Sequence, residues 1–420
     1  MMPVTARAGR RFRATRPGRL ASTPVRLVSS RSRPAVGWVV AGVVAVASVL
    51  AMLWLDVLYP PLPVMIPTTD MYEVHVDFDT FWHSAVALWQ GNDIYTTPAK
   101  LTNLNPPLLT VLLAPFAWLD ALTAYRVWVV LSVLMVLGSL LVVARELRLR
   151  PVPVVFVMAS VLASSPLHGA LVLGQIYPVL LVGLVAGWVA ERRGRPVLAA
   201  VLFGITISLK PSLAPVLLLY AAQRRWAPLR AGVVSAVVAS LLGVAVCGPS
   251  SGVAWLRIAF NSPVPDTVDN ASLPGLAVRL GVPPVLGLVA GVIVLGGTLA
   301  VLARHRDRVD PAGTAVWAVL AAGLLLSPIA WHNYLMLLWP GVLVLVALGR
   351  TATATVMFAV AVIPVAWNAA VVPAVATGRS LYVVILLGYW AVLLRWALPG
   401  PSSSESPDES STVSVASSTG

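Results

Sequence analysis

From Val36 to Leu398 the chain is a succession of apolar runs separated by short loops in which arginine collects. A run of about 20 such residues crosses a bilayer as a helix. Composition strengthens the constraint: 58% of the 420 residues are hydrophobic, 11% are charged, and the mean hydropathy is +0.87. Average soluble proteins carry about 25% charged residues. A soluble domain of this length cannot keep so much apolar surface from water. Soluble enzyme folds are therefore excluded, and the expected class is an all-α polytopic membrane protein.

Expected spans run near 36–55, 122–144, 152–165, 174–190, 196–209, 211–222, 230–247, 284–303, 312–328, 332–348, 352–372 and 380–398. Several are short enough to be half-helices meeting within the membrane, as broken helices do around membrane binding sites. Residues 108–119 are apolar but too short to span, which suits a re-entrant or interfacial helix. The organisation read from this is an Arg-rich tail over 1–35, a transmembrane domain over 36–398, and a Ser-, Pro- and Glu-rich tail over 399–420, both tails disordered and cytoplasmic.

Charge orients the spans. Of the 29 basic residues, 23 fall in the N-terminal tail, the loops 145–150, 191–195, 223–230 and 304–310, Arg350, and Arg395 at the C-terminal end of the last span. Cytoplasmic loops gather Lys and Arg, so these loops are expected inside, with 56–107 and 248–283 outside. Segment 56–107 fits that side, with six acids against one base, Lys100. Within it, Val74–Gln90 places Trp82, Ala85, Val86 and Trp89 at helical spacing, the pattern of a short interfacial helix. A net charge of +13 does not here point to nucleic acid, because span alternation accounts for it. The single cysteine, Cys247, excludes an internal disulfide and a cysteine-based metal cluster.

Four polar groups interrupt this pattern. Asp77 and Asp79 open the expected helix of the first outer loop. At i and i+2 they do not share a face, so one suits a cavity while the other caps the helix or meets solvent. Either could serve as a general base, its pKa raised by partial burial. Lys210 interrupts an apolar stretch as Leu209-Lys210-Pro211. A cation inside a membrane segment marks a functional site by default, and its natural partner is a phosphate; a snorkelling lysine is the plainer reading. Ser327-Pro328-Ile329-Ala330-Trp331-His332 forms a Pro-broken junction whose His332 could donate to a phosphate oxygen. Asp269-Asn270-Ala271-Ser272, followed by Arg279, lies in the second outer loop, where an ordinary turn is the alternative. No P-loop, zincin or nucleophile-elbow motif occurs.

Together these residues carry a resemblance. Asp77-Phe78-x-x-Phe81-Trp82-x-Ser84-Ala85, Gly91-x-x-x-Tyr95 and Asn105-Pro106-Pro107 resemble the first outer loop of glycosyltransferase family 87. Gly174-Gln175, Leu209-Lys210-Pro211, Arg224-Arg225-Trp226, Asn270-Ala271-Ser272-Leu273 with Arg279, and Ser327-Pro328 through His332 follow in the family's order. The chain departs from the pattern at Asn105, at Tyr177 and around His332-Asn333. The resemblance implies a GT-C-like bundle of about 12 transmembrane helices in a bacterial plasma membrane. It implies transfer of a mannosyl or other hexosyl residue from a polyprenyl-phosphate sugar to a lipid or glycan acceptor outside, with an alpha-1,2-mannosyltransferase expected. It further implies Asp77 as base with Asp79 as runner-up; Lys210, Arg279 and His332 on the donor phosphate; and Trp82, Tyr95, Gln175 and Asn270 around sugar or lipid. No metal or cofactor is expected, since the leaving phosphate is already a good one. A GT-C enzyme for arabinofuranosyl or glucosyl transfer, and a non-catalytic transporter or flippase of lipid intermediates, are the alternatives.

Overall fold

The computed structural model of the protein describes residues 75–361 and 381–398. The expected tails, the first span near 36–55 and the second half of the span near 352–372 lie outside the described residues. The rest is helical. The sole β feature among the described residues is an antiparallel bridge between Asn270 and Trp331.

Sixteen α-helices follow in order: α1 Val76–Trp89, α2 Pro107–Leu113, α3 Ala121–Glu146, α4 Pro151–Leu162, α5 Ser165–Leu173, α6 Tyr177–Arg192, α7 Pro196–Leu209, α8 Pro215–Ala222, α9 Trp226–Cys247, α10 Pro249–Asn261, α11 Leu273–Arg279, α12 Pro284–Arg304, α13 Val316–Leu326, α14 Trp339–Ala347, α15 Thr351–Ala361 and α16 Leu381–Ala397. Prolines begin many of them, because a missing N–H costs nothing in a helix's first turn. Among the described residues three helices, α3, α9 and α12, are by themselves long and apolar enough to cross a membrane. The pair α4 and α5 passes the same test together, bent by 51° at its break. The other expected spans are shorter apolar helices or are broken at a proline, as at Lys210-Pro211 between α7 and α8.

Burial follows apolar patterning in the way lipid requires. α13 is apolar all round, and every residue from Val316 to Leu325 is buried; such a helix belongs in the centre of a bundle. α14 is likewise enclosed from Trp339 to Val346. In contrast, α9 exposes Val233, Val234, Val237, Val238, Leu241 and Leu242, and α12 exposes Val289, Val292 and Ile293. Apolar faces of this extent on long helices mark a membrane protein, since water would penalise them and hydrocarbon does not.

Small residues bring the helices together. Gly183 and Gly187, one turn apart on α6, meet Thr206 and Phe203 of α7 so closely that a Cβ at either position would overlap those side chains. Gly204 of α7 in turn lies against the Gly232 carbonyl of α9. Lipid offers no hydrophobic drive between helices, so close packing of this type carries their association.

A helix forms as α1 where the sequence predicts one over 74–90. One side packs inward through Phe78, Phe81, Ser84 and Ala85. Its indoles tie it to the short helix Ala114–Trp118: Trp82 donates to the Leu119 carbonyl at 3.2 Å and Trp89 to the Ala114 carbonyl at 2.7 Å.

Candidate functional site

The site is built around the first turn of α1. Asp77 is partly exposed there, while Asp79 is 5% exposed. Two residues rotate a helix by about 200°, so the carboxylates have different neighbours. Asp79 faces His83, one turn on, at 3.4 Å. Asp77 accepts a 2.6 Å hydrogen bond from the Gln175 amide.

That contact spans 98 residues and depends on a glycine. Helix α5 ends at Gly174 in the left-handed conformation, φ 70°. A Cβ at this position would fall on the Cβ of Phe78, the neighbour of Asp77. Only a glycine permits the turn and lets α1 press against it. Gln175, 7% exposed, is thereby set beside the carboxylate.

Proline geometry delivers a cation. The residue before a proline is driven out of the helical region. Lys210 accordingly leaves α7 in an extended conformation, φ −148° and ψ 90°. Its ammonium donates to Asn105 Oδ1 at 3.1 Å and interacts electrostatically with Asp77. Asn105 is itself held in a network. Its backbone N–H donates to Asn103 Oδ1 at 3.0 Å, its carbonyl accepts from the Tyr95 hydroxyl at 2.8 Å, and Asn103 donates to Ser84 of α1 at 3.1 Å.

A third segment closes on the same place. Asn270 is fully buried; its amide donates to the carbonyls of Pro265 and Pro328, each at 3.1 Å, and accepts from the N–H of Ala330 at 3.0 Å. Asp269 receives the His332 N–H on its backbone carbonyl at 2.8 Å. These bonds fasten loop 265–272 to the Pro328 junction and leave the Asp269 carboxylate partly exposed within electrostatic reach of Asp77, Tyr177 and Tyr382.

Arg279, at the end of α11, donates through Nη1 to the Thr267 carbonyl at 2.7 Å, while its Nε and Nη2 are buried without a hydrogen-bond partner. His332 is buried with Nε2 3.4 Å from the Ser165 hydroxyl and its ring 5.5 Å from that of Tyr382.

Electrostatics single out Asp77. Burial pushes its carboxyl up to about 6; the Gln175 hydrogen bond and the Lys210 charge oppose the rise, and the Asp269 carboxylate adds to it. Burial also raises Asp269, against the pull of Thr267 and Arg279. Two carboxylates that influence one another, one of them poised near neutrality, form an arrangement suited to moving a proton.

The expected site residues therefore separate. Asp77, Gln175 and Lys210 share one neighbourhood. Arg279 and His332 enter it through Asp269, with no direct contact to Lys210 among the described bonds. Tyr95 and Asn270 serve the framework: the Tyr95 hydroxyl holds the Asn105 carbonyl, and the Asn270 amide is occupied on both sides. The Trp82 N–H is taken by the Leu119 carbonyl, just after the short helix Ala114–Trp118. Sequence reasoning named Asp269 only as part of its loop segment, without a role of its own, and missed Tyr382. Asp269 stands beside a family landmark but outside it, and Tyr382 lies beyond the last landmark. Among the described residues no group of three or more His, Cys, Asp or Glu side chains could hold a metal ion.

The fold and this site define an all-helical membrane protein whose carboxylate, amide and cationic side chains, brought from distant helices, converge at one end of the bundle. The chain belongs to glycosyltransferase family 87, whose model matches residues 103–328, more than half of its length. It is 27% identical over 296 residues to a polyprenol-phosphate-mannose-dependent alpha-(1-2)-phosphatidylinositol mannoside mannosyltransferase of Mycobacterium tuberculosis, covering 64% of this chain and 68% of that protein. It is 25% identical over 281 residues to an alpha-(1->3)-arabinofuranosyltransferase of the same species, covering 63% and 64%, and 24% identical over 277 residues to that of Corynebacterium glutamicum, covering 63% and 66%. No solved structure matches the chain.

Proposed function

We propose that this glycosyltransferase moves a mannosyl residue from a polyprenyl-phosphate donor to a glycolipid or glycan acceptor at the outer face of the membrane, with Asp77 as general base. The observation that carries the reading is the placement of Asp77 against Gln175, with the Lys210 ammonium in the same neighbourhood. The acceptor hydroxyl gives its proton to the Asp77 carboxylate as its oxygen bonds to the anomeric carbon. The bond from that carbon to the phosphate oxygen breaks, and polyprenyl phosphate leaves with the electron pair. A single displacement of this kind inverts the anomeric centre. Charge gathers on the departing phosphate, where cationic donors stabilise it. Lys210 has three N–H donors and Asn105 takes one, so two remain for phosphate oxygens. The buried Nε and Nη2 of Arg279 supply further unspent donors. No step calls for a metal or cofactor.

The proposed setting is a bundle of about 12 transmembrane helices with both termini cytoplasmic and α1 at the outer surface. The basic split of the loops supports it. The identity of the sugar is tested by incubating the purified protein with labelled polyprenyl-phosphate mannose and polyprenyl-phosphate arabinofuranose over a panel of lipid acceptors. Mannosyl transfer is expected. The relatives named for arabinofuranosyl transfer make arabinose the second reading, and label carried only from that donor would establish it. Absence of transfer from either donor to every acceptor would count against the donor class.

Two further results are expected. Lys210→Ala should leave the protein folded and weaken use of the donor by about 10- to 100-fold, the value of a charge-assisted hydrogen bond. A donor titration that superimposes on the wild type would make Lys210 a snorkelling residue held by Asn105.

Gln175→Leu should move the acidic limb of the pH–rate profile. The base acts when ionised, and the Gln175 bond favours its ionised form. Without that bond the Asp77 pKa rises further, so activity recovers only at higher pH, by about one unit or more. Activity lost equally at all pH values would instead assign Gln175 to substrate contact.

A further inference from the structure

The Arg-Arg-Trp sequence after α8 takes no step in the transfer proposed above. Helices α6 and α8 both begin near the Asp77 site, after Gln175 and after Lys210-Pro211, and both run away from it. At their far ends the loops 145–150, 191–195, 223–230 and 304–310 hold twelve arginines against four acids. Within this end, Gln223, Arg224, Arg225, Arg306 and Asp307, with Val309 and Pro311, line an open cavity of about 470 Å³. We propose that this cavity binds a phosphate-bearing anion through Arg224, Arg225 and Arg306.

The three arginines differ in a way that suits a site. Arg225 is fixed: it pairs with Glu191 at 2.7 Å, donates to Gln223 at 3.3 Å and lies 5.2 Å over the ring of Tyr220. Glu191 also accepts from the Tyr220 hydroxyl at 2.9 Å, so its charge is spent inside this cluster. Arg224 has no acid partner among the described residues. Arg306 has Asp307 at 3.6 Å, a side chain 89% exposed, and surface pairs of that kind contribute little. The cavity thus keeps a positive excess that the protein does not neutralise.

The backbone shows the same emphasis. Arg224 sits at φ 55°, the left-handed position that follows a helix C-terminus. Glycine fills the corresponding turns at Gly194 and Gly349. An L-residue there is sterically disfavoured, and arginine takes the position both here and at Arg148, φ 54°, in loop 145–150 of the same end. Planar guanidinium forks match phosphate oxygens in pairs. Trp226, next in sequence to Arg225, is 56% exposed, as indoles at headgroup level are. A phospholipid headgroup and a soluble phosphate are the two sources of such an anion, and basic pockets of this kind between membrane helices hold the former.

The test uses the full chain in neutral detergent, with thermal unfolding as readout. Arg224→Asn keeps a residue that tolerates the left-handed backbone; it is combined with Arg306→Gln, and Arg225 is left to hold Glu191. Phosphatidylglycerol, phosphatidylcholine and inorganic phosphate are titrated separately. Phosphatidylglycerol should raise the wild-type midpoint saturably while phosphatidylcholine does not, since a ligand that binds the folded state raises its apparent stability. In the double variant the apparent affinity should fall by about tenfold or more. A shift with inorganic phosphate that the variant loses supports the same site with a soluble ligand. Arg195→Gln with Arg230→Gln removes equal charge from the same end outside the cavity and should leave the response intact. The proposal is overturned if neither anion shifts the wild type, if the double variant responds as the wild type does, or if the control pair loses the response equally.

Discussion

Asp77→Asn is expected to lower sugar transfer by about 10² to 10⁴, the usual contribution of a positioned general base. The substitution is nearly isosteric, and the asparagine carbonyl still accepts from Gln175, so the contact between α1 and the turn at Gly174 survives. Only the proton acceptor is lost. Donor binding should persist, because Lys210 and Arg279 are untouched. The wild-type rate should rise with pH through about 6 as Asp77 ionises, and this limb should vanish from the residual activity of the variant. Asp79→Asn should be milder on transfer, since Asp79 is turned toward His83. A dead Asp79 variant beside an active Asp77 variant would assign the base to the other carboxylate. Full activity in both, in folded protein, would end the reading of this turn as a catalytic site and favour a transporter.

Gly174→Ala should be comparably severe for a different reason. Two costs coincide. A left-handed Ala costs about 1 kcal/mol or more, and its Cβ would overlap Phe78 Cβ. Overpacking against an element that cannot rotate aside adds about 1–3 kcal/mol. Relief requires α1 to move off the turn, which separates Asp77 from Gln175. Both the unfolding midpoint and transfer should fall. Gly91→Ala isolates the first cost: Gly91 has φ 71°, and nothing lies within 4 Å of its Cβ position. That variant should carry the backbone penalty alone and keep most activity. Equal behaviour of the two variants would show that the contact with Phe78 does not hold the site together.

The framework residues explain why parts of the site were legible and others were not. Lys210 could be found in the sequence because a cation in an apolar run is anomalous wherever it lies, and the following proline predicts its extended backbone. Asp77 was legible as one of two candidates; i and i+2 spacing says that two carboxylates diverge, not which of them meets Gln175. Asn270 resembles a ligand residue in a motif, yet its bonding capacity goes to Pro265, Pro328, Ala330 and Ser272. An asparagine's partners are set by segments it meets some 60 residues away. Tyr95 is similar, since its hydroxyl is taken by the Asn105 carbonyl ten residues on. Asp269 carried no signal beyond being an acid in a loop, and its reach to Asp77 exists only once loop 265–272 is fastened to the Pro328 junction.

What the sequence by itself determined is local in origin. Apolar runs bounded by Pro, Gly and Arg set the membrane class and the helices, several within a residue or two of expectation: Pro196–Leu209, the break at Pro211, Pro284–Arg304, and α1 at Val76–Trp89. Helix hydrogen bonds close within four residues, so nearby sequence is enough to specify them. The tertiary structure alone decided which carboxylate faces Gln175, that Asn270 is a brace, and that α1 is tied down through Trp82 and Trp89. It also decided which arginines ring a common cavity. Those outcomes rest on glycine-permitted approaches such as Gly174 on Phe78, and on side-chain bonds that span from tens of residues to about a hundred. Such contacts are selected by close packing of the whole bundle, which no local pattern encodes.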